Sequence, residues 1–146
     1  MSFSNKIQAF LITLSAGAAI IVLIMALHNS DSRINKANLE FIQSYGWQTE
    51  KSPEDISNIT IPEEFDEIYN AYNSIEASSG FDITPYKGVK AVRYSYKVLN
   101  HSSSDTGLIR ANVFVVKNKI AAADICSLEI GGFIQSINDK SGQLSY

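Results

Sequence analysis

The chain has 146 residues, a single cysteine, a net charge of −3 and a pI of about 5.3. An acidic balance argues against a nucleic-acid partner, and one cysteine excludes an internal disulfide framework. Neither a metal-spaced Cys/His set nor a glycine-rich phosphate loop is present, so no cofactor is implied.

The first predicted element is apolar. From Ile7 to Ser30 there is no Asp, Glu, Lys or Arg. A helix rising ~1.5 Å per residue crosses the ~30 Å hydrocarbon core in ~20 residues, whereas a signal-peptide apolar region needs only ~7 to 15. Around Met25 to Ser30, bulky side chains occupy at least one of the two positions that a cleavage site needs small, and Cys126 is too distant for a lipoprotein signal. The expectation is an uncleaved anchor and tether over residues 1–30, with Ile7 to Leu27 in the membrane. Residues 31–146 then form one extracytoplasmic domain. Export is favoured by the position of the apolar run near the N terminus, while the flanking charges, Lys6 against Arg33 and Lys36, discriminate weakly. The expected location is the cell membrane, single-pass, with the C-terminal domain outside the cytoplasm.

Beyond the tether, Ser32 is a candidate N-cap for a helix carrying Ile34, Ala37, Phe41, Ile42 and Tyr45 at helical spacing, and Gly46 supplies its stop. Trp47 to Glu50 and Ile56 to Ile61 read as short strands around the turn-forming "KSPED". In "TIPEEFDEIYNAYNSIEASSG", Thr60 and Glu63 match a capping box, and Pro62 falls in the first turn. Phe65, Ile68, Tyr69, Tyr72 and Ile75 give that helix an apolar stripe, and Gly80 ends it.

A sheet follows. Val92, Tyr94, Tyr96 and Val98 alternate with Arg93, Ser95 and Lys97. Ile109, Ala111, Val113 and Val115 share one face of the next strand, which turns at Lys117 and Asn118 into a return strand from Lys119 to about Leu128. Regular pairing sets Val115 opposite Ile120, Val113 opposite Ala122 and Ile109 opposite Cys126, which puts the cysteine on the aliphatic face. Gly131 and Gly132 break the strand, and "FIQSI" reads as a short closing helix. The fold class is α+β: an N-terminal transmembrane helix, then about two helices packed on one face of a mainly antiparallel sheet of three to five strands.

Charge is divided along the chain. Glu40 to Asp82 holds ten acids against Lys51, and Ile83 to Tyr146 holds eight bases against four acids. The plain reading is that the two halves face each other in one fold. "PEEFDE" complements a helix dipole and lacks the turn-enabling glycine of a hard-cation loop. His101 with Ser102 to Asp105 has the residue types of a hydrolase triad, but as neighbours in what reads as a solvated loop. Cys126 has no histidine base in reach and reads as a small hydrophobe. Asp124 shares a strand face with Ile120, Ala122 and Cys126, at the sheet margin or partly buried beside Arg110 or Arg93. The residues open to interaction are Tyr86, Arg93, Arg110 and Asp124; no catalytic, cofactor or metal residue is assigned.

"FIQSYGW", "TIPEEFDEIYNAYN", "GFDITPYKGVKAVRYSYKVLN" and "IRANVFVVKNKIAAADICSLEIGGF" resemble a family of small, single-anchor proteins of Gram-positive, spore-forming bacteria, catalogued only as a domain of unknown function. The resemblance runs from about Leu39 to Phe133, with "YKG", "RYSYKVLN", "DICSLE" and "GF" as its most specific pieces. It implies an outward-facing membrane protein and carries no substrate, cofactor or catalytic residue. Ala122 and Ala123 stand where members often have Gly-Gly, and Lys117 and Asn118 where they often have Asp-Gly.

The function expected is a membrane-anchored binding or accessory module for a protein, peptide or envelope polymer. The alternatives are a cell-envelope enzyme using carboxylates of the domain, or a secreted effector or inhibitor-like domain if the apolar segment is cleaved. An apolar groove or open strand edge would favour binding. Carboxylates converging in a cleft would favour an enzyme.

Overall fold

A computed structural model of the chain describes Ile20, Leu23, Met25 and residues 31–144. The expected span from Ile7 to Leu27, those three residues apart, and the tether at residues 28–30 lie outside the described residues. Among the described residues no helix is long and apolar enough to cross a membrane. The chain divides into two units, Met1–Lys36 and Ala37–Tyr146. The described residues of the first are helical; the second holds the sheet.

Helix α1 covers residues 31–44, and its part from Ala37 onward opens the larger unit. It stops as expected at Gly46, whose φ of 82° is a left-handed conformation that glycine adopts without a Cβ penalty. The strands are β1 (Asp55–Thr60), β2 (Lys90–Lys97), β3 (Ile109–Val116), β4 (Lys119–Ser127) and β5 (Ile134–Ser136). They form one five-stranded sheet in the order β1-β2-β3-β4-β5, every neighbouring pair antiparallel. Thr49 adds only a single bridge to Val98.

Helix α2 (Glu67–Ala77) connects β1 to β2 and starts later than the sequence predicts. Pro62 holds Ile61 extended, so Thr60 ends β1 and the Ile61 N–H donates to the Val89 carbonyl at 3.0 Å. The N-cap is Asp66, whose carboxylate accepts from the Tyr69 N–H at 2.9 Å. Gly80 follows the helix end, as expected, and the Phe81 N–H returns to the Glu76 carbonyl at 3.1 Å.

The β3–β4 hairpin turns at Lys117 (φ 47°) and Asn118 (φ 62°), as expected. Its register departs from the prediction. Val115 does face Ile120, but a shift between Phe114 and Val115 sets Val113 opposite Ala123 and Ile109 opposite Ser127. One extra residue in a strand moves everything beyond it to the other face. Cys126 and Asp124 therefore leave the aliphatic face for the opposite one.

That face carries a polar row through all five strands: Asp55, Ser95, Asn112, Asp124 and Ser136 follow one another across the sheet. The other face is apolar, with Tyr94 beside Val113 and Ala123, and Tyr96 beside Ala111 and Ile125. Each large apolar side chain buried there contributes roughly 1.5–3 kcal/mol. The helices do not share one face. Asn38 of α1 donates to the Tyr96 hydroxyl at 3.1 Å on the apolar side, whereas Tyr72 of α2 reaches Asp124 and the Phe114 ring on the polar side.

The expected closing helix is strand β5. "FIQSI" is too short to hold a helix by itself, and the open edge of β4 offers Ile134–Ser136 a ladder. Gly132 permits the return, because a Cβ there would lie 2.6 Å from the Ser127 carbonyl oxygen.

Candidate binding site under helix α2

The site starts where β5 ends. Its pairing with β4 stops at Asp124 and Ser136, and one step further Ile137 would continue the ladder opposite Ala123. Instead, the Ile137 carbonyl accepts from the Trp47 indole N–H, and the Ala123 N–H donates to Glu76 Oε2, both at 2.8 Å. The α2 carboxylate thus replaces a strand partner at the sheet edge. Glu76 Oε1 is buried with no hydrogen-bond partner among the described residues.

Tyr72 lies one helical turn before Glu76 and shares its face. Its hydroxyl donates to Asp124 Oδ2 at 2.8 Å. Asn112, opposite Asp124 in the register, donates from Nδ2 to Asp124 Oδ1 at 2.8 Å and to Cys126 Sγ at 3.2 Å. The Ser95 hydroxyl donates to Asn112 Oδ1. At the far end of the row the hydroxyls of Ser136 and Ser79 are hydrogen-bonded to each other.

Burial dominates the electrostatics. It pushes Asp124 up to about 6 against the opposing hydrogen bonds from Asn112 and Tyr72. It pushes Glu76 up to about 7 against the Ala123 N–H. The Tyr72 hydroxyl is pushed up, first by burial and then by the charges of Asp124 and Glu76, so it stays protonated and donates. Burial and Asp124 also raise the Cys126 thiol, which disfavours the thiolate.

Beside this network lies a pocket of about 350 Å³ lined by Ile59, Ile61, Ile68, Tyr69, Tyr72, Ile83, Arg93, Phe114, Ala121, Ala122 and Ile134. Tyr72 belongs to both, through its ring to the pocket and through its hydroxyl to the buried acids. Neither Asp124 nor Glu76 lines the pocket.

The four sequence candidates separate. Asp124 lies at the centre of the network, hydrogen-bonded to Tyr72 and Asn112 and not to Arg110 or Arg93. Arg93 lines the pocket and donates from Nη2 to Asp55 Oδ2 at 3.0 Å. Arg110 is buried, pairs with Glu54 and donates to the Gly107 carbonyl at 2.8 Å. Both pairs join the acidic front half to the basic sheet half, as the plain reading of the charge division has it. Tyr86 packs against the small cluster of Ile61, Ala91, Val116 and Ala121 and does not line the pocket.

His101 is not solvated. It is 6% exposed, stacked between Trp47 and Phe133, and its Nδ1 accepts from the Ser103 N–H at 3.0 Å. Burial depresses its pKa. The sequence reading missed Glu76 and placed Tyr72 only in a core stripe. Their four-residue spacing on a helix was the available signal, but it carries no information about the strand they meet.

Residues 41–125 match the model of a family described as a domain of unknown function, DUF4830. The chain belongs to the DUF4830 family. The matched stretch contains Tyr72, Glu76, Arg93, Asn112 and Asp124, so the centre of the buried network lies within the DUF4830 domain. Cys126 and β5 lie beyond it. The chain matches no curated protein and no solved structure.

Proposed function

We propose that this DUF4830 protein is a membrane-anchored binding module of a Gram-positive, spore-forming bacterium, its folded domain outside the cytoplasm and its binding surface the pocket beside α2. The observation that carries this reading is an apolar pocket of about 350 Å³ whose walls, among the described residues, include no carboxylate. That volume and lining suit a small-molecule or side-chain ligand. The buried acids under α2 are engaged in holding the fold: Asp124 accepts from Tyr72 and Asn112, and Glu76 Oε2 caps the β4 edge. Their role is to seat α2, and through it the Tyr72 wall, at the correct height over the sheet. The uncharged run from Ile7 to Ser30 supplies the anchor.

In-cell photocrosslinking tests this. A benzophenone side chain in place of Ile68 or Ile134, both on the pocket lining, is expected to give a discrete adduct in the membrane fraction. The same group in place of Asn118, in the hairpin turn, should give none. Equal labelling at all three positions, or recovery of a shortened chain in the culture supernatant, would overturn the proposal.

A further inference from the structure

We infer that the pocket takes a single-chain amphiphile with an anionic head, its chain against the pocket's isoleucines and its head at Arg93. This rests on the binding reading above and names its ligand class. The walls are aliphatic and aromatic, through Ile59, Ile61, Ile83 and Phe114. Ile68 and Ile134 are 75% and 52% exposed while lining the same pocket, so apolar surface continues to its mouth. A polar ligand has no use for such a mouth.

Among the described residues Arg93 is the one charged side chain on the lining. Its guanidinium is a planar fork of five N–H donors that matches a carboxylate or a phosphate. Asp55 takes Nη2, while Nε is buried with no hydrogen-bond partner among the described residues. The Asp55 pair is exposed on both sides, so water and salt already weaken it. An anionic head can therefore share or displace Asp55, and an uncharged head leaves the fork as it is. Asp124, on the neighbouring row, also lies within the electrostatic influence of Arg93 and limits how much negative charge the site accepts. One anionic head on one chain satisfies these constraints.

The test is calorimetric titration of the full chain in phosphatidylcholine nanodiscs, blanked against empty discs, with decanoate, decyl phosphate and decanol. Both anions are expected to bind one site at least about tenfold more tightly than decanol. Their ranking separates a fatty-acid source from a phosphate-headed lipid. Arg93→Gln should lower the anions to the decanol level, Arg93→Lys should retain most of the preference, and Asp55→Asn should tighten both anions. Circular dichroism checks that each variant is folded. Decanol binding as tightly as the anions, or an unchanged preference in Arg93→Gln, would overturn the anionic head and leave the pocket reading standing. Absence of binding by all three ligands would overturn the amphiphile, and the crosslinking at Ile68 and Ile134 then decides the pocket reading by itself.

Discussion

On the apolar face of the sheet Ala111, Val113, Ala123 and Ile125 are all 0% exposed, and their side chains need only shape to fit together. On the other face Ser95, Asn112, Asp124 and Ser136 are nearly as dry, yet each must find hydrogen-bond partners. Burying a polar group without one costs about 1–3 kcal/mol, and a satisfied one returns little net stability. The apolar face is therefore where the fold gains its stability. The polar face gains a unique arrangement: Tyr72, Asn112 and Asp124 satisfy one another in one register only, and that register sets α2 above the pocket. Glu76 is the one buried residue of α2, so burial holds this helix lightly.

The largest expected effect breaks the apolar side. Ile125→Ala removes a fully buried side chain and should cost about 2–5 kcal/mol in urea unfolding, with the pocket geometry retained in what stays folded. Next, Asn112→Ala strips partners from Asp124 and Ser95 together. It should cost about 1–3 kcal/mol and also disturb Tyr72, which its near-ultraviolet circular dichroism would report.

The acids of the polar face sharpen the contrast through pH. Glu76 and Asp124 are raised to about 7 and about 6 in the folded state. The folded protein therefore holds protons that the unfolded chain has released, and their contribution to stability falls as pH rises from about 4 to 7. His101 acts oppositely: depressed by burial, it costs stability as pH falls through the unfolded value of 6.5. The difference between the native chain and Glu76→Gln isolates the acid. Thermal midpoints of Glu76→Gln should gain on the native chain as pH rises through that window. An identical pH profile would remove the buried carboxylate from the account. The smallest effect belongs to neither face. Lys117→Asn in the hairpin turn should stabilise by about 0.5 kcal/mol, since asparagine tolerates the φ of 47° better than lysine, and should leave the pocket unchanged.

Much of the sheet was legible because its signals are local. The alternation around Tyr94 and the Lys117–Asn118 turn depend only on neighbouring residues. The positions of Asp124 and Cys126 were not legible, since the register shift at Phe114 and Val115 reverses their facing without a mark in the alternating pattern. The helix start was misplaced because Thr60 and Glu63 satisfy a capping pattern that Pro62 and the pairing of β1 override. His101 sits among polar neighbours in sequence, but its stacking partners, Trp47 and Phe133, come from distant segments. Arg93 and Asp124 could be singled out as charged residues on strands. The Tyr72 roof that joins them, and the Glu76 cap beside it, required the fold.

One face of the sheet holds the fold, and the other, under α2, carries the proposed binding pocket. Amide hydrogen exchange of the full chain in phosphatidylcholine nanodiscs tests this division most directly. Amides of β3 and β4 are expected to exchange only by global unfolding, and those of α2 through a separate opening of lower free energy. Exchange of α2 and β3 at one common limit would contradict it.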